Sequence, residues 1–441
     1  MQGRYAKNSA AMLSCMLSFA LPILLALYWP LIGLHFTWVA SAVRGELFAI
    51  TGLFAMLWWK APVTKAERKW GGLLIAYFAL LLLNILPAEQ MGRSLQNALR
   101  ILFLLVFCLV LARAFRHVPT RRAFGIGALV AALLLSAYIL GCYLTFLGTA
   151  MPTYVSTRIF KATVGRVLGV GLNPLGFSTA FFCMLAACTL RSSWMLNATL
   201  GVVICICSIF TGSRTPLALM IVSLFVVLAI ELCCSYSKFR FVCLGILLPA
   251  LVLVGGFELR NGVDMEQLSV ITENRTDLWK VAWAKFTERP LTGYGADSWG
   301  DDLIPRLPGL YQVTAVVVTN HAGGYHNAYF TLLAEEGILI FAFAVFVMVS
   351  AFRTVNHVSG NTRQDRQHRA MLLFALIFLV LRGFIEVPGW FGYGEDPAEF
   401  SCYALLALII SVGCEAQVAG KSAVMLSTTP PPRLSQAWLA Q

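Results

Sequence analysis

The stretch "GGYHNAYFTLLAEEGILIFAFAVFVMVSAF", residues 323–352, decides the fold class of this chain. Its second half is an apolar run of membrane-spanning length, since a bilayer core of ~30 Å requires about 20 apolar residues in a helix. Its first half contains a histidine, an asparagine and two adjacent glutamates. Lipid penalises such groups, so we expect each of them to have a partner or a function.

Similar apolar runs recur along the chain. Hydrophobic residues make up 59% of the 441 residues and charged residues only 12%, and the mean hydropathy is +0.76. This composition lies outside the range of soluble proteins. The sequence therefore predicts an all-α polytopic membrane protein with about twelve transmembrane helices. The predicted spans are 10–34, 45–60, 70–88, 94–115, 122–147, 168–190, 192–211, 215–235, 239–256, 327–352, 369–388 and 400–416.

The basic residues in the connections predict the orientation of these spans. If the N-terminus is cytoplasmic, every dense cluster of Lys and Arg in a short loop lies on the cytoplasmic side, as the positive-inside rule requires. Both termini are then cytoplasmic, and the net charge of +12 requires no nucleic-acid partner. The predicted segments are helices one to nine (1–256), an outward loop (257–326), helices ten to twelve (327–418) and a disordered cytoplasmic tail (419–441).

We expect no metal site and no cofactor. The twelve cysteines lie in apolar runs or at their cytoplasmic edges, where packing explains them better than disulfides or metal binding. Asp297, Asp301 and Asp302 are possible oxygen ligands for Mg²⁺ or Mn²⁺ beside a diphosphate, but solvated loop carboxylates explain them better.

The outward loop contains a predicted helix at residues 274–289, "NRTDLWKVAWAKFTER". Asn274 is a suitable N-cap, and Pro290 ends the pattern. At 100° per residue, Arg275 and Arg289 share the face of the helix that contains Trp279. We expect this helix to lie on the membrane surface or to cover a cavity.

Two further residues stand where helices begin on the outward side. Arg214, in "TGSRTPLALM", comes directly before a helix, and a guanidinium beside a helix N-terminus forms an anion site. The alternative is an interfacial arginine that binds lipid headgroups. His326 opens the tenth span, flanked by Tyr325 and Asn327. Together with Arg275, these residues predict a site for a phosphate-bearing lipid.

The shorter outward loop contains a second group of basic residues. Arg158, Lys161 and Arg166 precede "GLNPLG", in which Asn173 is followed by a proline. We interpret these residues as a basic lip that binds an acidic ligand.

Four charged residues lie within the predicted spans. Glu335 and Glu336 are ~13–15 Å below His326 along an ideal helix, and their expected partner is Arg382. Arg382 can also pair with Glu386, four residues later. We interpret this group as structural ion pairs, with direct catalysis as the alternative.

Four of these segments together resemble the O-antigen ligase and polymerase superfamily. They are "YHNAYFTLLAEEGIL", "TGSRTPL", "NRTDLWKVAWAKFTERPLTGYG" and "GLNPLG". The resemblance implies a glycosyltransferase of GT-C-like architecture in the Gram-negative inner membrane, with a metal-independent periplasmic site. His326, Arg214 and Arg275 match the family's functional residues. The family's Asn-Pro-Asn variant is Asn-Pro-Leu here, so Asn173 carries less weight.

By this resemblance, the donor is a glycan on undecaprenyl pyrophosphate, and the acceptor of a ligase is the lipid A–core oligosaccharide. We expect His326 to act as the base and Arg214 and Arg275 to stabilise the pyrophosphate, with inversion at the anomeric carbon. The other expected substrate-binding residues are Arg158, Lys161, Arg166, Asn173, Tyr325, Asn327, Arg289 and Arg382. The alternatives are a polymerase of the same superfamily and a transporter of lipid-linked sugars.

Overall fold

The computed structural model describes residues 2–33, 39–58, 61–147, 154–159, 162–167, 172–190, 194–211, 214–235, 275–296, 298, 325–357, 362–384 and 397–428. Most of these residues are helical. The longer helices are α1 (Gln2–Gly33), α2 (Val39–Trp58), α3 (Lys65–Ile85), α4 (Met91–Phe115), α5 (Val118–Leu147), α6 (Leu172–Leu190), α7 (Trp194–Phe210), α8 (Arg214–Ser235), α9 (Arg275–Glu288), α11 (Gly337–Asn356), α12 (Arg363–Gly383) and α13 (Pro397–Thr428).

The helices confirm a multi-pass membrane protein. Every predicted span coincides with a helix except the ninth, 239–256, which lies outside the described residues. Within the described part of the chain, 5 helices are long and apolar enough to cross a membrane, and α2, α6, α7 and α8 contain shorter apolar helices. The number of twelve spans and the GT-C-like architecture remain predictions.

Two helices form the centre of the bundle. Every side chain from Leu175 to Thr189 of α6 is buried, as is every side chain from Glu399 to Val412 of α13. Apart from Glu399, both stretches are predominantly apolar on all sides, and a helix of that kind is stable only when other helices surround it. Accordingly, α6 packs against α5 and α7, and α13 packs against α3, α4 and α11.

Charged groups join several helices at one end of the bundle. Glu67 completes a capping box with Thr64 at the start of α3, and its carboxylate lies 3.4 Å from the guanidinium of Arg116. Arg121 of α5 binds Glu415 of α13 at 2.6 Å. The described basic connections at residues 64–69 and 113–122 lie at this end, which we call the ion-pair end.

A two-stranded hairpin differs from the all-α prediction. Strands β1 (Tyr154–Ile159) and β2 (Ala162–Val167) are antiparallel, with Arg158 opposite Thr163 and Arg166 opposite Val155. Because successive residues of a strand alternate between its faces, Arg158 and Arg166 occupy positions on opposite faces. The basic lip remains a prediction, and Lys161 lies outside the described residues.

Two predicted boundaries also change. The last helix, α13, continues to Thr428 and thus includes residues 419–428, which we assigned to a disordered tail; residues 429–441 lie outside the described part of the chain. The loop helix is observed as α9, from Arg275 to Glu288. Its buried residues are Leu278, Val281, Ala282 and Lys285, a face slightly rotated from the predicted one.

The tenth span is not a regular helix. A short helix α10 (Ala328–Thr331) leads into a π-helical turn (Leu332–Glu336), and α11 begins at Gly337. Gly337 has φ 76 and ψ 179, a conformation that is essentially restricted to glycine. A π-turn contains one more residue than an α-turn and leaves backbone groups in need of new partners. We call Leu332–Gly337 the broken turn.

The segment after α9 supplies those partners. The N–H of Tyr294 donates to the carbonyl of Ala334 at 3.1 Å, and the N–H of Gly295 donates to the carbonyl of Glu335 at 2.8 Å. In return, the N–H of Ile338 donates to the carbonyl of Pro290 at 2.8 Å. The outward loop is therefore attached to the tenth span by backbone hydrogen bonds.

We predict that Gly337→Ala destabilises the protein. Alanine at this φ and ψ costs about 1–3 kcal/mol of backbone strain, and its Cβ would overlap the carbonyl of Leu291. A lowered melting temperature of the purified protein in detergent is expected. Gly72→Ala is the matched control, because a Cβ there has nothing within 4 Å and alanine favours the helix. Equal melting temperatures for the two variants would contradict the role of the broken turn.

Candidate functional site

His326 lies in an unusual backbone conformation directly before α10. Its φ is 49, and no other non-glycine residue among those described has a positive φ. The left-handed region costs an L-residue about 1–2 kcal/mol, so the surrounding structure must hold this conformation. Strain of this kind is frequent at functional sites.

Asn327 fixes the histidine from one side. Its side-chain Oδ1 accepts hydrogen bonds from the N–H groups of Tyr329 and Phe330, both at 3.0 Å, and thereby caps α10. Its Nδ2 donates to the carbonyl of Phe384 at 3.0 Å, and the hydroxyl of Tyr329 donates to the carbonyl of Val380 at 2.7 Å. The segment that follows His326 is therefore bound to the end of α12.

Tyr325 fixes the histidine from the other side. Its side chain is fully buried and packs with Val281 and Ala282 of α9 and with Ala334 of the broken turn. Burial raises the pKa of the Tyr325 hydroxyl well above its ordinary value, and the negative charge of Glu335 adds to this effect. The hydroxyl therefore stays protonated, and His326 stands between α9 and α12.

Arg275 enters this region as the first residue of α9. Four residues later, Trp279 stacks on Phe330 of α10 with ring centroids 6.0 Å apart. Residues four apart lie on the same side of a helix. The backbone of Arg275 therefore lies one turn before Trp279, on the side of α9 that contacts α10. The side chain of Arg275 lies outside the structural description.

The position of Arg214 follows from the directions of the helices. Phe177 and Phe181, near the start of α6, contact Phe378 of α12. Farther along α6, Cys183 lines a cavity of about 440 Å³ together with Phe374, which precedes Phe378 in α12. Residue numbers rise along α6 as they fall along α12, so the two helices are antiparallel.

Helix α8 runs in the same direction as α6. Successive helices α6, α7 and α8 pack against one another and are joined by short connections, which makes neighbours antiparallel. Helix α8 is then antiparallel to α12, against which it packs. Arg214 is the first residue of α8, so its backbone lies at the end of the bundle where α12 ends. The side chain of Arg214 is outside the structural description.

Three predicted residues thus belong to segments that meet at one end of the bundle, which we call the His326 end. His326 is bound to the end of α12, α9 begins beside α10, and α8 begins where α12 ends. A histidine and two helix N-termini that carry arginine are suited to bind an anion and accept a proton beside it. Tyr325 and Asn327 serve here as buried supports of His326.

The deep glutamates do not pair with Arg382 as predicted. The Oε2 atom of Glu336 accepts a hydrogen bond from Nδ2 of Asn84 in α3 at 2.7 Å, and both residues are buried. Arg382 instead stacks on Phe177 and Phe181 of α6, with its guanidinium carbon 4.6 Å and 5.3 Å from the ring centroids. Both glutamates lie within the π-turn, where side-chain directions differ from those of a regular α-helix, so a prediction based on a regular helix gives the wrong partner.

For the other predicted site residues, the structure gives only part of the environment. Glu386 lies outside the described residues, and the side chain of Asn173, near the start of α6, is not described. Arg289 binds Glu89 at 2.9 Å and stacks on Tyr294 at 4.4 Å, which joins the end of α9 to the turn between α3 and α4. Contact of Arg289 with a substrate remains a prediction.

Several residues that hold this end together were not predicted from the sequence. Asn84 interrupts the apolar run of α3, which was a detectable signal, because a polar residue in a span requires a partner. Tyr294 and Lys285 had no such signal. Lys285 is buried, donates to the carbonyl of Ser298 at 2.6 Å and lies over the Tyr294 ring at 5.0 Å.

The described residues contain no group of three or more His, Cys, Asp and Glu side chains arranged to hold a metal ion. Asp297, Asp301 and Asp302 lie outside that part of the chain. The expectation of a metal-independent site therefore remains a prediction.

Comparison with known families supports the same region. Residues 199–347 match the family model described as O-antigen ligase, which confirms the resemblance inferred from the sequence. The match runs from α7 to α11 and includes Arg214, Arg275 and His326. No curated protein matches the chain.

We predict that Asn327→Ala frees the start of α10. The variant loses the cap acceptor of two N–H groups and the bond to Phe384, and a lost N-cap alone costs about 1 kcal/mol. Amide hydrogen exchange of residues 328–331 should become faster. Asn327→Ser is the matched control, since serine is also a good N-cap acceptor and adds no charge. Unchanged exchange in Asn327→Ala would show that this side chain does not fix the segment.

Proposed function

Because residues 199–347 belong to the O-antigen ligase family, we propose that the chain is an O-antigen ligase. It transfers the O-antigen glycan from undecaprenyl pyrophosphate to the lipid A–core oligosaccharide in lipopolysaccharide biosynthesis. The proposed location is the Gram-negative inner membrane, with cytoplasmic termini and a periplasmic active site. The supporting observation is that the segments of Arg214, Arg275 and His326 meet at one end of the bundle.

In the proposed reaction, His326 acts as the general base. A hydroxyl oxygen of the acceptor attacks the anomeric carbon of the donor, and the hydroxyl proton passes to the imidazole as the new bond forms. The bond between the anomeric carbon and the phosphate oxygen breaks. Its electron pair leaves with the lipid pyrophosphate, so no external oxidant, reductant or further substrate is required.

Arg214 and Arg275 stabilise the charge that develops on this leaving group. Each is the first residue of a helix, where free N–H groups and the helix dipole favour an anion. A guanidinium adds a full charge and a pair of donors that fits two phosphate oxygens. Preorganised donors of this kind each contribute roughly 10²–10³-fold to a rate.

We expect the reaction to invert the anomeric carbon. A retaining mechanism requires a carboxylate nucleophile beside that carbon. The nearest carboxylates along the span are Glu335 and Glu336, both buried in the broken turn, and Glu336 is hydrogen-bonded to Asn84. A direct displacement by the acceptor hydroxyl is therefore the simpler mechanism.

The remaining basic residues are assigned to substrate and lipid contacts. Arg158 and Arg166 occupy opposite faces of the hairpin, so we assign a single phosphate or acidic sugar to one of them at a time. Arg289 is bound to Glu89 and supports the loop. We assign it a contact with the acceptor only through the exposed part of its guanidinium. Membrane lipids surround the apolar faces of the bundle.

Reconstitution tests the proposed reaction. Purified protein in liposomes is supplied with lipid-linked glycan and lipid A–core, and the products are separated by mass. Glycan joined to lipid A–core is the expected product. Longer glycan on the lipid carrier would instead identify a polymerase, and movement of the donor across the bilayer without a new bond would identify a transporter.

We predict that His326→Ala reduces transfer by about 10²–10⁴-fold, the usual contribution of a general base. The variant should remain folded in the membrane, because the described contacts that fix this segment come from Tyr325, Asn327 and Tyr329. The matched control is His357→Ala, an exposed histidine at the end of α11. Transfer by His326→Ala at the rate of this control would remove the assignment of the base.

A further inference from the structure

Within the part of the chain that the structure describes, Arg382 is a buried cation without a carboxylate partner. Its side chain is 1% exposed, and its Nε and Nη1 atoms have no hydrogen-bond partner among the described residues. An arginine keeps its positive charge in proteins, and burial of an unpaired charge is strongly unfavourable. Such an arrangement requires a compensating interaction.

Part of this compensation comes from the aromatic rings of α6. The guanidinium carbon lies 4.6 Å from the centroid of Phe177 and 5.3 Å from that of Phe181, distances at which a cation is attracted to the ring face. Arg382 also stands in the last turn of α12, where the helix dipole favours a positive charge.

The ring contacts leave hydrogen-bond donors of the guanidinium unused, because no described residue accepts from Nε or Nη1. The N–H bonds of a guanidinium point outward in the plane of the group. Two N–H bonds in one plane match two oxygens of a phosphate. The charge and donors of Arg382 are therefore arranged to bind an anion that the chain itself does not supply within its described residues.

The neighbours of Arg382 place this anion beside His326. Val380 accepts the hydrogen bond of Tyr329, and Phe384 accepts that of Asn327. Arg382 lies between these two residues and thus within one helical turn of both bonds. It is also at the end of the bundle where α8 begins with Arg214.

We infer that Arg382 is a binding residue for the diphosphate of the lipid-linked donor, an inference that rests on the proposed function. Arg382 lies in the last turn of α12, and we assign it to the phosphate that is attached to the isoprenoid chain. Arg214 and Arg275 then bind the phosphate next to the sugar. The same contact persists after transfer, because the leaving group is the complete lipid diphosphate.

The test measures the binding of undecaprenyl diphosphate without any acceptor, so that no transfer is needed. Purified wild type and Arg382→Gln are compared in lipid nanodiscs by native mass spectrometry. Loss of a charge-assisted bidentate contact should weaken binding by about 10- to 100-fold. Arg353→Gln, an exposed arginine at the ion-pair end, is the matched control and should bind as the wild type does.

Stability without ligand separates a binding role from a structural one. If Arg382 awaits an anion, Arg382→Gln removes an unpaired buried charge, and the melting temperature should not fall. If Glu386 neutralises Arg382, both Arg382→Gln and Glu386→Gln should lower it, and the inference is wrong. If Arg382→Gln does not fold, Arg382→Lys is tested instead, since lysine keeps the charge but cannot bind two phosphate oxygens side by side. Unchanged affinity in Arg382→Lys overturns the inference.

Competition identifies the source of the phosphate. Inorganic pyrophosphate should compete with undecaprenyl diphosphate, whereas phosphatidylglycerol should not. Equal competition by phosphatidylglycerol would show a general phospholipid site and overturn the assignment to the donor. A wild-type protein that binds the lipid diphosphate through Arg382 but transfers no glycan would refute the proposed function alone. Unchanged affinity in a folded, active Arg382→Gln would refute the inference alone.

Discussion

The site depends on the broken turn at Leu332–Gly337. A regular helix would satisfy its own backbone groups and leave nothing for the outward loop to bind. Here the π-turn, which ends at Gly337, leaves carbonyls free of helical hydrogen bonds. The N–H groups of Tyr294 and Gly295 donate to two of these carbonyls. These bonds attach the segment after α9 to the tenth span, and Asn327 attaches the same span to α12. His326 is therefore held between α9 and α12, and both of these helices are bound to the irregular tenth span.

The two ends of the bundle differ in how they treat charge. At the ion-pair end, Glu67 and Glu415 neutralise arginines of α4 and α5, and these bridges join helices. At the His326 end, Arg382 is buried against aromatic rings, and two helices begin with arginine. An unneutralised cation is expensive in a span, so Arg382 indicates a site that receives an anion, and the backbones of Arg214 and Arg275 begin helices at the same end. A lipid diphosphate satisfies this requirement from within the membrane.

The sequence was sufficient for the features that depend on local patterns. Apolar length predicts the spans, and the capping and proline signals predict α9 to within one residue at each end. It was insufficient where irregular backbone decides the contacts. The expected partner of Glu336 was wrong because this residue lies in a π-turn, where side-chain directions differ from those that a periodicity of 3.6 residues predicts. The alternating Val, Thr and Ile residues at 154–167 were a strand signal, but the composition of the whole chain favoured an all-α interpretation.

The central claim is that one diphosphate is bound at the His326 end by groups from separate helices. An electron cryo-microscopy structure of the protein with undecaprenyl diphosphate tests it most directly. The account predicts density for two phosphates between the starts of α8 and α9, within hydrogen-bonding distance of Arg214 and Arg275 and adjacent to His326. Diphosphate density elsewhere, or guanidinium groups of Arg214 and Arg275 that lie in separate cavities, would contradict it.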